Sequence, residues 1–216
     1  MAPQSTQTIA GVAIPDTALV REVTEFIRDS EDDLLFDHSR RVFLFAALQG
    51  RRLGLQPDPE LLYAAAMFHD LGLTRGYRCS MLRFEVDGAD AARDFLLHRG
   101  VDSADAHKVW LSIALHTTPG VTQFLEPEIA LVKAGVETDV VGIGRDHLSS
   151  DAIAAVTSAH PRPDFKRGFV AALANGLKHR PHTTFGVMNA DVLQHYDPAF
   201  VPDDFVDIIL NSSWPE

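Results

Sequence analysis

The sequence has little of several features that mark particular classes of protein. Cys79 is the single cysteine among 216 residues, which excludes an internal disulfide framework and a zinc site built from several thiolates. No apolar run approaches the roughly 20 residues that a membrane-spanning helix requires. The N-terminal segment lacks the basic and long apolar regions of a signal peptide. We therefore expect a cytoplasmic protein with no membrane partner.

Positive charge is also scarce. The chain has 19 basic and 30 acidic residues, giving a formal net charge of −11. Proteins that bind polynucleotides draw much of their affinity from Lys and Arg side chains that neutralise phosphates. The charge balance therefore predicts no nucleic-acid partner and favours a small-molecule substrate that is neutral or weakly charged.

The chain lacks internal repeats and any linker rich in Gly, Ser or Pro, so its length fits one domain. Apolar residues recur with helical spacing, as at Val20, Val23 and Ile27, whereas alternating strand patterns are scarce. The predicted fold class is therefore all-α, with an N-terminal arm over 1–14 and one domain over 15–216. Helices are predicted over 20–27, 36–54, 59–70, 87–100, 103–117, 127–136, 149–159, 164–179, 184–195 and 203–211. Ser103 is the predicted N-cap of the helix over 103–117. A turn is predicted over 135–144.

The pair His69-Asp70, which follows the apolar segment LLYAAAMF, is the most informative feature. Burying an ionised carboxylate costs several kcal/mol unless it is paired or bound to a metal. His38 lies on another apolar helix, and Asp139 lies in the predicted turn. Imidazole and carboxylate groups are ligands that zinc, iron and manganese accept. The four residues are candidate ligands of one divalent metal ion, with zinc expected first. The structural alternative for the pair is a capped helix end with a satisfied core histidine.

The order His38, His69-Asp70 and Asp139 resembles the HD-domain superfamily of metal-dependent hydrolases, in which these four positions bind the metal. The resemblance implies a helical HD bundle with its motif core over about 35–145 and further helices over 146–216. The segments MLRFEVDGADAARDFLLHRG, VWLSIALHTTPG, FHDLGLT and VKAGVETDVVG resemble the cyanamide hydratase branch. This finer resemblance implies a hydro-lyase that adds water to a small nitrile-like molecule such as cyanamide, giving urea.

Four residues are candidates for catalysis. Asp70 would hold a metal that lowers the pKa of bound water towards about 7. Glu85 is a candidate acid/base whose pKa desolvation would raise, or else a carboxylate favoured at a helix start. His116 is a candidate proton shuttle or second-metal ligand, or else a histidine that bonds the last helix carbonyls. Thr74 is a candidate hydrogen-bond partner of substrate or water, or else an ordinary N-cap.

Substrate contacts are predicted next to these positions in the sequence. Phe68 precedes His69, Phe84 precedes Glu85, and Thr117 follows His116. Tyr77, which lies in the loop that follows the His-Asp pair, completes the predicted set.

Two other functions remain open at this point. The first is an HD-type phosphohydrolase, whose phosphate would be bound by arginines near the motifs, namely Arg40, Arg41, Arg75, Arg78 and Arg83. Because Arg40 and Arg41 are adjacent on one helix, we expect that only one of them shares its buried face. A small, mostly apolar pocket would favour the hydratase instead. The second is a non-catalytic binding protein whose metal only holds helices together.

A homo-oligomer is also possible from the sequence, and the N-terminal arm and the SSWPE tail are the candidate subunit contacts.

Overall fold

The computed structural model describes residues 7–184 and 189–202, and most of these residues are helical, which confirms the predicted all-α class. None of the helices in these ranges is long and apolar enough to cross a membrane. The helix predicted over 203–211 lies outside the described residues. The described α-helices are α1 (Ala18–Ser30), α2 (Asp33–Leu53), α3 (Pro59–Phe68), α4 (Phe84–Leu97), α5 (Ser103–Ala114), α6 (Pro127–Val140), α7 (Ser150–Ala159), α8 (Phe165–Leu177) and α9 (Asn189–Tyr196).

The helix ends follow from capping side chains in the sequence. The Asp32 carboxylate accepts a hydrogen bond from the Leu35 N–H at the start of α2, and Gly54, in the left-handed conformation, ends that helix. Asp102 caps α5 by accepting from the Ala104 N–H, so the predicted N-cap at Ser103 is one residue late. Within the described ranges, five short 3₁₀ turns lie between the helices, namely Leu71–Leu73, Arg75–Tyr77, Thr122–Phe124, Arg145–His147 and Pro181–Thr184.

The described part of the N-terminal arm, residues 7–14, is a hairpin that packs on the helices. Two short antiparallel strands, β1 (Thr8–Ile9) and β2 (Val12–Ala13), pair as a hairpin. Ile9, Val12 and Ile14 are buried in the main hydrophobic core. Burial of these apolar side chains holds the hairpin against the helices.

The centre of the fold is the packing of α2 against α6. Gly135 of α6 makes the close approach possible, because an added Cβ would lie 2.4 Å from the Val42 carbonyl oxygen of α2. The helix continues through Gly135 to Val140, so the turn predicted over 135–144 begins too early. Asp139 is consequently a helical residue that faces α2.

One buried arginine fixes the segment that follows His69-Asp70. Arg180 is fully buried, and its guanidinium donates to the carbonyl oxygens of Gly72 (2.5 Å), Leu82 (2.8 Å) and Gly176 (2.9 Å). The same guanidinium pairs with Asp87 of α4. Arg180 thereby ties the end of α8 to both ends of the loop between α3 and α4.

Candidate metal centre and its cavity

Three of the predicted ligands converge at the centre of the fold. His38 projects from α2, and His69 and Asp70 follow the last turn of α3. The Nε2 atom of His69 lies 3.2 Å from Nε2 of His38 and 3.2 Å from Oδ2 of Asp70. Nε2 of His38 lies 3.5 Å from the same oxygen. All three residues are buried, and one ligand atom from each lies within 4.8 Å of the others, so they can hold one metal ion.

Hydrogen bonds on the far side of each imidazole ring orient its lone pair towards this point. Nδ1 of His69 donates to the Ala66 carbonyl oxygen (2.7 Å), and Nδ1 of His38 donates to the Asp139 carboxylate (2.7 Å). Each neutral ring therefore presents an unprotonated Nε2. Oδ2 of Asp70 is buried with no hydrogen-bond partner in the described part of the chain. Lone pairs that meet in this way repel one another unless a positive charge lies between them, which is the arrangement of metal ligands.

The pKa shifts of Asp70 and His69 indicate that the site favours a positive charge beside the Asp70 carboxylate. Burial alone would raise the pKa of Asp70, but the charge of His69 holds it well below its usual range. Burial lowers the pKa of His69, yet the negative charge of Asp70 outweighs burial and raises that pKa. The site therefore favours an ionised carboxylate beside a cation, and a divalent metal ion fits this donor set.

Asp139 lies on the other side of the His38 ring. Arg41 binds its carboxylate with two bonds, Nε to Oδ1 (2.9 Å) and Nη2 to Oδ2 (3.0 Å), and Arg162 also pairs with Oδ1. Burial opposes ionisation, but the hydrogen bond from His38 and the pairing with Arg41 hold the pKa of Asp139 low. Asp139 was predicted to be the fourth metal ligand, and its position differs from that prediction. Both oxygens of Asp139 are occupied, and Oδ2 faces Nδ1 of His38 rather than Nε2.

His116 reaches the site from the end of α5. Its Nδ1 donates to the Ile113 carbonyl oxygen (2.6 Å), which is the ordinary role of a histidine at a helix end. Its Nε2 therefore carries a lone pair in the neutral ring, and this atom lies 3.7 Å from Oδ1 of Asp70. The helix-end interpretation of His116 is confirmed, and the same bond aims the other nitrogen into the site. Its role in catalysis or as a second-metal ligand stays a prediction.

A cavity of about 420 Å³ reaches Asp70 and His116 from outside. Its polar lining includes Lys133 and Glu137, which form an ion pair (2.7 Å) at helical spacing on α6. The lining residues that contribute apolar surface are Phe84, Pro119, Val136, Val140, Val141, Ile143, Phe169 and Leu173, and Thr117 and Asn189 complete it. The structure therefore places Phe84 and Thr117, two predicted substrate contacts, in the wall of the cavity.

Glu85 is buried directly behind this wall. Its carboxylate accepts hydrogen bonds from Arg83 (2.9 Å), Thr117 (2.5 Å) and Asn189 (3.3 Å). Burial raises the pKa of Glu85, but the hydrogen bond from Arg83 and the charge of His116 bring it below the ordinary value. The predicted rise in this pKa is wrong, because Arg83 compensates the burial. Glu85 is an ionised hydrogen-bond acceptor and not a protonated acid.

The remaining predicted contacts lie away from the cavity. Phe68 packs in the core against Phe26 and Phe95, with ring centroids 5.5 and 5.3 Å away. Tyr77 and Thr74 belong to half-buried 3₁₀ turns beyond Asp70. None of these three predicted residues, Phe68, Tyr77 and Thr74, is part of the cavity lining.

The arginines near the motifs also differ from expectation. Arg40 and Arg41 are both buried, because α2 is enclosed on nearly all sides by other elements. Arg75 and Arg78 are exposed, and Arg83 is bound to Glu85. No arginine belongs to the part of the cavity lining that the described residues form.

Several residues of the site carried no clear signal in the sequence. Arg162 comes after α7, far along the chain from Asp139, and only the fold brings the two together. Phe169 and Leu173 have the spacing of an ordinary core helix. The charged pair Lys133 and Glu137, at i, i+4 spacing on α6, was the one sign in the sequence of the cavity's polar edge.

Comparisons with known proteins agree with this geometry. The family model described as the HD domain matches residues 35–164, which is more than half of the chain. The match includes every residue of the metal centre and His116. A search of the curated proteins finds none that matches this sequence.

Proposed function

The chain belongs to the HD domain family of metal-dependent enzymes of hydrolase type, and from this premise we propose that it adds water to a small, uncharged substrate of nitrile type. Cyanamide is the simplest such substrate, and urea would be the product. The observation that carries the proposal is the cavity beside Asp70 and His116, whose lining is mainly apolar. An apolar cavity favours an uncharged molecule over an anion, because burying an unpaired charge is costly.

The distribution of cations supports a neutral substrate over a phosphate ester. A phosphohydrolase needs cations that are free to bind the phosphate oxygens. In the described part of the lining, the lysine that faces the cavity, Lys133, is already paired with Glu137. Arg83, one of the arginines near the motifs, is committed to Glu85.

We propose His38, His69 and Asp70 as the metal ligands, with zinc as the expected metal and iron or manganese as alternatives. When bound, a divalent cation supplies Lewis-acid activation of water and of the polarised substrate. Asp139 is proposed to fix the tautomer and the orientation of the His38 ring. Three protein ligands leave coordination positions open beside the cavity, which favours a catalytic metal over one that only joins helices.

Proton transfer is assigned to His116. When the water oxygen bonds to the nitrile carbon, the water must lose a proton and the nitrile nitrogen must gain one. Nε2 of His116 faces Asp70 with its lone pair available, so it can accept the first proton and donate it to the nitrogen. The hydroxy-imine formed in this way becomes urea or an amide when its remaining O–H proton moves to the same nitrogen. The ionised carboxylate of Glu85, held against Thr117, balances the positive charge that His116 then carries.

Parallel assays on the purified protein test this function. Elemental analysis identifies the bound metal, and the same preparation is incubated with cyanamide, with simple nitriles and with mononucleotides. We expect urea from cyanamide or amides from nitriles. Release of phosphate from mononucleotides without hydration of any nitrile would replace the proposal with the phosphohydrolase.

A variant of His116 tests its role separately. His116→Gln should keep the metal and slow hydration by about 10²-fold or more, since general acid–base catalysis contributes on that order. His98→Gln is the matched control, because His98 also ends a helix and bonds a helix carbonyl (2.6 Å) but is exposed to solvent. Equal rates for the two variants would remove His116 from the mechanism.

A further inference from the structure

A second cavity, of about 610 Å³, lies beside Asp139, on the Nδ1 side of the His38 ring. The end of α6, the helix α7, the start of α8 and the loop between α6 and α7 enclose it. Val140 and Val141 line both cavities and separate this one from the cavity at Asp70. Neither His69 nor Asp70 lines the second cavity, so it is distinct from the proposed reaction site.

The lining of this cavity is positively charged. Arg145, Arg162 and Lys166 line it, and Asp139 is the acidic residue among the described lining residues. The charge of Asp139 is already balanced, because Arg41 binds both of its oxygens from the protein interior. The cations that face the cavity are therefore in excess, in a chain whose net charge is −11.

Arg145 and Lys166 are not neutralised by the acidic residues beside them in the sequence. Asp146 contacts His147 (3.3 Å), and Asp164 pairs with Arg167 (3.0 Å). Within residues 7–184 and 189–202, neither the Arg145 nor the Lys166 side chain makes an ion pair. Like charges held around one cavity repel one another, and a bound anion relieves that repulsion.

We propose that this cavity binds the phosphate group of a small molecule. Arg145 and Lys166 are available to bind the phosphate oxygens, arginine in a bidentate manner and lysine as a point charge. Arg162, which donates to the Asp139 backbone carbonyl (2.8 Å), adds a third positive charge that is already fixed in place. The enclosed volume falls in the range of small-molecule sites, and the acidic chain as a whole is unsuited to a polynucleotide.

Calorimetric titration of inorganic pyrophosphate into the metal-loaded protein tests the proposal. We expect saturable binding that weakens as salt is added, because the interaction is between charges near the surface. The double variant Arg145→Gln/Lys166→Gln should lose affinity by about tenfold or more, since two charge-assisted contacts are removed. The control Arg75→Gln/Lys178→Gln removes the same charge from exposed residues outside the cavity and should bind as the wild type does.

Three results would overturn the assignment. The first is the absence of saturable binding to the wild type. The second is an equal loss of affinity in the two double variants, which would mean that only the net charge matters. The third is loss of pyrophosphate binding in Asp70→Ala, which would place the phosphate at the metal centre. Retained binding in Asp70→Ala supports the separate cavity and leaves the proposed hydration to its own assays.

Discussion

The two sides of the His38 ring differ in how their charges are balanced. On the Nε2 side, the unprotonated nitrogens of His38 and His69 meet a carboxylate oxygen of Asp70 that has no hydrogen-bond partner within the described residues. On the Nδ1 side, two arginines already pair with Asp139. The Nε2 side therefore has less positive charge than the Asp70 carboxylate requires for neutrality, whereas the Nδ1 side has more than the Asp139 carboxylate can neutralise.

This difference shows why two buried aspartates near one histidine have different roles. Asp70 depends on a cation from solution, whereas Asp139 is neutralised by the protein itself. A carboxylate bound by two guanidinium groups is a weak candidate for a metal ligand, but it is well suited to hold an imidazole ring in one tautomer. Single substitutions on either side of the His38 ring test this difference between Asp70 and Asp139.

The largest effect is expected from Asp70→Ala. Loss of the one charged ligand should abolish metal retention, because two neutral imidazoles then remain to hold the dication. Elemental analysis after gel filtration measures the occupancy, with Asp94→Ala, an exposed acid on α4, as the control. Full metal occupancy in Asp70→Ala would show that the site assignment is wrong.

Asp139→Asn is expected to have an intermediate effect. If Asp139 only orients His38, the variant should keep the metal with an affinity lowered about 10–100-fold, which is typical of residues that support a ligand from behind. Metal titration with a chelating competitor measures this change, and circular dichroism shows whether the fold is kept. A loss as complete as that of Asp70→Ala would make Asp139 a direct ligand.

Glu85→Gln should leave metal binding unchanged and slow hydration about tenfold, corresponding to about 1.4 kcal/mol of lost support for charged His116. The bonds to Thr117 and Asn189 can persist in the amide, so the loss of charge is isolated. Rates measured across pH should show an altered profile along with the lower maximum. An unchanged profile and rate would remove Glu85 from the mechanism.

The smallest effect is expected at Glu31, a third buried carboxyl near the Nε2 side. Burial, together with the charge of Asp70, raises the pKa of Glu31 well above its ordinary value. Because the pKa of Glu31 is higher in the folded protein than in the unfolded chain, protonated Glu31 contributes to the free energy of unfolding. This contribution is complete at pH values below the unfolded pKa and is lost as the pH rises through the folded pKa. Glu31→Gln should therefore stabilise the protein by about 1 kcal/mol at neutral pH. Urea unfolding at acidic and neutral pH measures this gain, which should vanish at acidic pH.

The arrangement of helices was largely predictable, because caps and apolar spacing are local properties. Asp32 and Gly54 set the limits of α2 from within their own segment. The turn predicted over 135–144 begins too early, because α6 continues through Gly135 to Val140. A glycine is required at this position because the Val42 carbonyl oxygen of α2 lies too close for any Cβ atom. Contacts of this kind cannot be deduced from a segment alone.

The candidate site was predictable in its residue types but not in all of its geometry. His38, His69 and Asp70 meet because the apolar helices α2 and α3 are buried in one core, and the pair His69-Asp70 directly follows the end of α3. The side of His38 that Asp139 contacts depends on Arg41 and Arg162, whose positions follow from the tertiary fold. The direction of the Glu85 pKa shift likewise depended on neighbours, first Arg83 and then His116, that an argument from burial alone ignores.

The wall formed by α8 and α9 has a consequence for how substrate preference could change in evolution. Phe169, Leu173 and Asn189 line the cavity, yet they follow the segment that the HD domain model matches, which ends at residue 164. The metal-binding residues thus lie in one stretch of the chain, and the part of the cavity wall formed by α8 and α9 lies in a second stretch. Proteins that share the first stretch could diverge in the molecules they accept by replacing the second, while the inherited chemistry stays intact.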